Sequence, residues 1–295
     1  MDTAQDIREF LTSRRAKITP ADAGLPVYGS NRRVKGLRRE EVAMLAGISV
    51  EYYTRLERGN ASGVSEDVLE GVVRALQLDE AERAHLFDLV RTASTNRTPR
   101  RRPSQERVRS TVQQILDSMA GTAAYVRNGR LDILAANRLG HALYADVFND
   151  PVQPPNTARF LFLNPRASEF FVEWDTIAHD AVAILRAEAG RDPHDRRLSD
   201  LIGELATRSD EFRVRWAAHN VKFHRTGVKR LHHPIVGELT LTYEALDLPA
   251  DSGQRMLVYT AEPGSPSHDA MQLLASWAST PAAAAASTTT TDDDR

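Results

Sequence analysis

Cysteine is absent from the 295 residues, which excludes disulfide bonds, thiolate metal sites and cysteine nucleophiles. Long apolar runs are absent as well, since nowhere do about eighteen apolar residues follow one another as a membrane-spanning helix requires. The opening segment MDTAQDIREF has acidic side chains and lacks the apolar stretch of a secretion signal. These absences predict a cytoplasmic protein without membrane contact, and the length suffices for two domains.

Positive charge is concentrated in the first third of the chain. Residues 1–110 carry 20 Lys and Arg against 16 Asp and Glu, whereas the remaining residues carry 18 against 24. Within this region the stretch RTASTNRTPRRRPSQERVR, residues 91–109, is rich in arginine and has hardly any large apolar residue, so it is typical of a linker. The first third is therefore the candidate for binding a polyanion.

The apolar pattern changes at this linker. Before it, apolar residues spaced i, i+3 and i+4 predict short helices. After it, the alternation in GELTLTYEA and RMLVYTAE predicts strands, and Asn128 and Gly129 in AAYVRNGRLDILAA predict a hairpin with a tight type I′ turn. Helical stretches separate the second predicted strand from the third. The predicted fold is multidomain, with an all-α first domain and an α+β second domain that has an antiparallel sheet. The predicted bounds are 1–92 and 108–278 for the domains, 93–107 for the linker and 279–295 for a disordered tail.

Residues 37–59, LRREEVAMLAGISVEYYTRLERG, combine several signals of a helix-turn-helix. Gly47 tolerates the positive φ that ends the first helix, Ser49 caps the second, and Ala43 is small where the helices approach. Apolar residues at matching spacings supply a shared core: Val42, Ile48, Tyr53 and Leu56. The second helix then exposes Val50, Glu51, Thr54 and Arg55 for a major groove. An ordinary helical hairpin is the alternative.

Residues 6–90 resemble the Xre-type, or phage-repressor-like, family of five-helix DNA-binding domains, and SVEYYTRLERG is similar to its recognition helix. Tyr53 departs from the apolar residue usual in that family. The resemblance implies that Val50, Glu51 and Arg55 face base edges, while Arg39 and Arg58 meet phosphates. Arg55 can donate to guanine, Glu51 can accept from cytosine, and Val50 or Thr54 can touch a thymine methyl group. The loop before the motif adds candidate phosphate contacts, unless it is simply a solvated surface: Arg32, Arg33, Lys35 and Arg38.

The second domain shows no catalytic, cofactor or metal motif. GxGxxG, Walker, GxSxG and HExxH patterns are missing, and no residue is assigned a catalytic role. Its histidines are scattered, and adjacent His232 and His233 would point to opposite faces of a strand, which argues against joint metal binding.

The segments ILDSMAGTAAYVRNGRLDILAANR, FLFLNPRA and FRVRWAAHNVKFHRTGVKRLHHPIVGELTLTYEAL resemble the MmyB-type ligand-binding domain. That resemblance implies a PAS-like fold and a fatty acid as ligand. A mostly apolar pocket is expected to be lined by large side chains chosen by type and location: Tyr125, Phe160, Phe171, Trp174, Trp216, His219, Phe223 and Tyr243. His219, Arg225 or Lys229 is the candidate partner for a carboxylate.

These observations predict a transcription regulator that is not an enzyme. It would bind double-stranded operator DNA as a homodimer and sense a small apolar ligand such as a fatty acid. Two alternatives stay open: a hydrolase or deaminase fused to a DNA-binding module, and a second domain that serves only dimerisation.

Overall fold

The computed structural model describes residues 3–26, 34–94, 107–218, 226–251 and 253–279, and these residues form two compact units. The first unit draws on Met1–Arg102 and Val182–Phe223, and the second on Pro103–Ala181 and His224–Arg295. Within these described ranges, no helix has both the length and the apolarity to cross a membrane.

The described residues form fourteen helices and five strands. In chain order these elements are α1 (Thr3–Lys17), α2 (Arg39–Ala46), α3 (Val50–Glu57), α4 (Glu66–Ala75), α5 (Glu80–Ser94), α6 (Ser110–Ser118), β1 (Ala123–Arg127), β2 (Ile133–Ala136), α7 (Arg138–Leu143), α8 (Ala145–Phe148), α9 (Thr157–Leu163), α10 (Ala167–Phe170), α11 (Trp174–Arg191), α12 (Arg196–Arg208), α13 (Asp210–Ala217), β3 (Thr226–His233), β4 (Gly237–Asp247), β5 (Arg255–Thr260) and α14 (Pro266–Ser279).

The five helices α1 to α5 confirm the predicted all-α first domain. Each turns an apolar stripe inward, because residues three or four apart share one helix face. The resulting core is built around fully buried side chains: Ile7, Phe10, Leu11, Val42, Tyr53, Leu56, Val72 and Leu86.

The turn between α2 and α3 has the predicted geometry. Gly47 adopts a left-handed φ of 70°, and its N–H points back to the carbonyls of Ala43 and Met44. Ser49 caps α3, since its hydroxyl accepts a hydrogen bond from the N–H of Tyr52 at 3.1 Å. These two residues fix where the second helix starts and which face it exposes.

The first unit also contains the end of α11 together with α12 and α13. Ala187 of α11 joins the core formed by the first five helices. A Cβ atom added to Gly190 would lie 2.7 Å from Cε1 of His85, so this position has no room for a side chain unless His85 moves. These helices lie inside the range 108–278 that the sequence assigns to the second domain, and those bounds stay a prediction.

The second unit is built on an antiparallel sheet with strand order β2-β1-β5-β4-β3, which confirms the predicted α+β class. As predicted, β4 alternates: Leu239, Leu241 and Tyr243 are buried while the residues between them are exposed. Helix α6 packs Val112 and Leu116 against the opposite sheet face. The sheet is therefore covered on both sides near β1.

The predicted type I′ turn of the first hairpin is wrong. Neither Asn128 nor Gly129 has a positive φ, and the residue that does is Leu131, at 68°. The side-chain oxygen of Asn128 accepts hydrogen bonds from the N–H groups of Arg130 and Asp132, each at 3.0 Å. The Asn128 side chain thus accepts hydrogen bonds from the backbone of the loop, and the loop between β1 and β2 is longer than the predicted two-residue turn.

Candidate DNA-reading surface and ligand-binding face

The outer face of α3 carries the predicted base-reading residues. Val50, Glu51 and Arg55 are exposed, whereas Thr54 is half-buried. The guanidinium of Arg55 lies 4.8 Å from the ring centroid of Tyr52, a neighbour that our sequence reasoning did not single out although it is three residues away on the same helix. A face with both donor and acceptor side chains is suited to base edges in a major groove.

The basic residues around the motif are mostly exposed. Lys35 and Arg38 precede α2, and Arg58 follows α3. Arg38 pairs with exposed Glu40 at 3.2 Å, a weak surface contact that a phosphate can replace. Arg32 and Arg33 lie outside the described residues.

A buried carboxylate joins the two helices of the motif. Glu57, at the end of α3, is 1% exposed and accepts hydrogen bonds from Thr12, Arg15 and Arg39. Burial by itself raises the pKa of Glu57, but the hydrogen bonds and charges of Arg15 and Arg39 outweigh burial and leave that pKa below its usual range. Arg39, predicted to meet phosphate, is therefore held by Glu57 while its side chain stays 46% exposed.

Sequence reasoning missed the role of Glu57. The available signal was its position directly after Leu56 and four residues after Tyr53, at the inner side of the helix. An acidic residue at such a position requires cationic partners.

In the second unit, the strand register gathers polar and aromatic side chains on the sheet face that lies opposite α6. Tyr243 of β4 pairs directly with Tyr259 of β5, and Tyr125 of β1 pairs with Leu257 two residues before Tyr259. Lys229 of β3 pairs with Leu241, two residues before Tyr243. Since directly paired residues point the same way, all four side chains occupy one face, which we call the inner face.

The hydroxyl of Tyr259 is the centre of a hydrogen-bonded cluster on this face. It accepts from Nζ of Lys229 at 3.2 Å and from the hydroxyl of Tyr144 at 3.0 Å. The hydroxyl of Tyr125 lies 3.4 Å away. Burial raises the pKa values of Tyr125, Tyr144 and Tyr259, so all three are neutral donors near pH 7.

Lys229 is the cation of this cluster. Its ammonium lies 4.8 Å from the ring centroid of Tyr243. Burial, followed by the charge of Arg127, lowers the pKa of Lys229 to about 8, while Asp180 acts in the opposite direction. A cation in such surroundings is only partly compensated by aromatic rings and one phenol oxygen.

Aromatic contacts extend from this cluster into helices α9 and α10. The ring of Tyr144 lies 5.8 Å from Phe170, which in turn lies 5.8 Å from Phe160 and 4.9 Å from Phe171. These rings meet edge to face or tilted, as aromatic pairs prefer. Tyr144, Phe170 and Tyr259 were not among the predicted lining residues, and they connect four residues that were: Tyr125, Phe160, Phe171 and Tyr243.

The remaining predicted ligand-binding residues lie elsewhere. Trp174 is half-buried and donates its indole N–H to the carbonyl of Leu161 at 3.0 Å. Trp216 belongs to the first unit, where its ring stacks on Phe212 and lies 4.1 Å from the guanidinium carbon of Arg186. His219 and Phe223 lie outside the described residues.

The histidine pair of β3 separates as predicted, with His232 exposed and His233 buried. Among the described residues, no three His, Asp or Glu side chains come together as a metal site would require.

Two family models match the chain in the order that the fold suggests. A helix-turn-helix domain model matches residues 11–86, and the model of the MmyB-like transcription regulator ligand binding domain matches residues 108–274. The chain belongs to the MmyB-like transcription regulators. No individual curated protein matches it. Both resemblances predicted from the sequence are confirmed, and this family member is a DNA-binding transcription regulator with a ligand-sensing domain.

Proposed function

We propose that this regulator binds its operator as a homodimer in the cytoplasm and changes its affinity for that operator when the second domain binds a long-chain fatty acid. The observation that carries the ligand proposal is the inner face, where the buried rings of Phe160, Phe170 and Phe171 adjoin a hydrogen-bonded polar cluster. An apolar wall with a few converging polar groups suits a molecule with a long apolar chain and one polar end.

The sheet order supports a PAS-like description of the second domain. Two strands, then helices, then three strands return to one antiparallel sheet, which is the arrangement that the family resemblance implies. In such a domain the ligand would lie between the inner face and helices α7 to α10.

For DNA, we propose that α3 reads bases while the surrounding arginines and lysine bind phosphates. Exposure of Arg55 and Glu51 supports base reading, because both side chains have unhindered access to a groove. Lys35, Arg38 and Arg58, with Arg32 and Arg33, would supply the contacts that depend on salt but not on sequence.

A homodimer follows from the size of the reading surface. One helix-turn-helix domain offers a small interface, so tight binding requires two half-sites roughly 34 Å apart. We propose that the second domain supplies the dimer contact, with α6, whose Ile115 is 45% exposed, as a candidate element.

The proposal is tested in two steps. Native mass spectrometry of protein purified from its own host should reveal a retained fatty acid as added mass. Operator DNA selected from a random pool should then bind the delipidated protein with an affinity that shifts when fatty acid is added, as measured by fluorescence anisotropy. Unchanged operator affinity at saturating fatty acid would refute the sensor, and chemical turnover of the added molecule would favour the enzyme alternative.

A further inference from the structure

The polar cluster on the inner face offers an ammonium and phenol hydroxyls but contains no carboxylate. We define the lysine–tyrosine cluster as Tyr125, Tyr144, Lys229 and Tyr259. Three neutral phenols bring one O–H each and the ammonium brings three N–H groups, and two of these donors converge on the hydroxyl of Tyr259. An anionic group with several acceptor atoms can receive these donors in place of the Tyr259 hydroxyl.

The positive charge of the cluster is carried by Lys229. Among the described residues, Lys229 forms no ion pair with a carboxylate, and its only hydrogen bond goes to a phenol oxygen. Asp180 influences Lys229 through its charge, but the two form no ion pair. Cations in surroundings of low polarity are stabilised by an anion.

The location is also suitable for recognition. Tyr125, Tyr144 and Tyr259 are at most 3% exposed, so water competes weakly for their hydroxyl groups. The ring of Tyr144 contacts Phe170 of α10, which contacts Phe160 of α9. One end of a bound chain can therefore meet donors while the rest meets apolar rings.

We propose that the lysine–tyrosine cluster binds a carboxylate, and that this family member consequently selects ionised fatty acids over fatty alcohols and esters of the same chain length. This inference rests on the proposed fatty-acid sensing and adds its chemical selectivity. An ionised carboxylate only accepts hydrogen bonds, and its two oxygens offer about four acceptor sites to the ammonium and the phenols. The hydrogen bonds that Lys229 and Tyr144 now give to Tyr259 would be redirected to the carboxylate.

The test compares three probes of equal chain length on the delipidated full chain: dodecanoate, dodecanol and methyl dodecanoate. Affinity is measured near pH 7 by displacement of Nile red, a neutral apolar dye. We expect dodecanoate to bind at least about tenfold more tightly than the alcohol or the ester, since charge-assisted hydrogen bonds in a buried site are worth that much.

Lys229→Met removes the cation but keeps an unbranched apolar side chain, and it should lower dodecanoate affinity by about tenfold or more while leaving dodecanol affinity within about twofold. Retained dodecanol binding also shows that the variant is folded. Tyr259→Phe, a smaller change, should weaken dodecanoate about threefold or more. Lys17→Met, an exposed lysine of α1, is the matched control and should bind all three probes as the parent does.

The outcomes separate the two proposals. If no probe binds, fatty-acid sensing fails and the carboxylate site fails with it. If alcohol and ester bind as tightly as the acid, or if Lys229→Met keeps the preference for the acid, sensing stands and the carboxylate site is wrong.

Discussion

Arg39 donates two hydrogen bonds to Glu57, at 3.0 and 3.4 Å, and so joins the first turn of α2 to the last turn of α3. Arg15 of α1 binds the same carboxylate and also donates to the carbonyl of Leu37 at 2.8 Å. The orientation of α3 is thus fixed by a buried charge as well as by the apolar core.

We expect Glu57→Gln to destabilise the first unit by about 1–3 kcal/mol, because the two guanidinium groups lose their charged acceptor. Urea unfolding of the full chain, followed by far-UV circular dichroism at pH 7, measures the loss. Glu51→Gln, on the exposed side of the same helix, is the control and should change stability by less than about 0.5 kcal/mol. Equal effects of both substitutions would contradict the structural role of Glu57.

The contribution of Glu57 should also depend on pH in a defined direction. Its pKa is lowered in the folded protein, so the stabilisation is complete above the unfolded pKa, about 4.3, and is lost as pH falls through the folded value. The stability difference between the parent and Glu57→Gln should therefore shrink progressively below about pH 4.5. A difference that stays constant down to pH 3 would show that the carboxylate gains nothing from its partners.

Tyr53 is a buried residue whose polar group should not stabilise the first unit, in contrast to Glu57. Its hydroxyl is buried and has no hydrogen-bond partner among the described residues. We expect Tyr53→Phe to be neutral or to stabilise the first unit by up to about 1 kcal/mol, because an unsatisfied hydroxyl is removed while the ring remains. Thermal unfolding measures the change, and a clear loss of stability would show that the hydroxyl is bonded in solution.

These features also show what the sequence could predict. The α2–α3 motif depends on local chemistry, namely the left-handed Gly47 and the cap at Ser49, so a short stretch of sequence is enough to predict it. The alternation in β4 likewise needs no distant partner. The contact between Tyr144 and Tyr259 depends on the register of the strands and on where α7 ends. Neither can be predicted from the neighbouring sequence alone. The same holds for Gly190, whose fit against His85 joins residues about one hundred positions apart.

The proposed DNA contacts are tested by comparing a residue predicted to contact a base with a residue predicted to contact a phosphate. Arg55→Ala should cost about 1–3 kcal/mol on the selected operator and little on random DNA. Lys35→Ala should weaken both DNAs similarly and reduce the slope of log K against log salt by about 0.9. Anisotropy titrations over a range of salt concentrations measure both effects. Equal losses on both DNAs for Arg55→Ala would reassign that residue to phosphate.

Fatty-acid affinity should fall at alkaline pH. The pKa of Lys229 is about 8 without ligand, and a carboxylate binds the protonated amine better, so binding should raise that pKa. Affinity for dodecanoate should accordingly be highest below pH 8 and fall by up to about tenfold per unit above it. Lys229→Met should show no such decline, and neither should dodecanol on the parent protein. A flat profile for dodecanoate on the parent would mean that the amine does not meet the carboxylate.

The final prediction concerns how ligand binding reaches the DNA-binding domain. On β1, Tyr125 belongs to the lysine–tyrosine cluster, whereas Ala124 and Val126 on either side of it pack against α6. Because α6 directly follows the arginine-rich linker, a shift of β1 caused by ligand can be passed to α6 and then to the linker. Inserting flexible Gly-Ser residues at Ser104 should absorb that shift, so saturating dodecanoate would no longer change operator affinity, although dodecanoate affinity itself stays the same.

The control for this insertion is the same Gly-Ser segment placed after Thr290, in the terminal tail, where it should leave the response intact. If the protein lengthened at Ser104 responds to dodecanoate as the parent does, the linker is not the connection that carries the signal. Another covalent route, within the described residues, is α11, since the division between the compact units at Ala181 and Val182 falls within this helix. In that case a Gly-Gly insertion beside Ala181 should abolish the response, because a flexible break within a helix interrupts its rigid continuity.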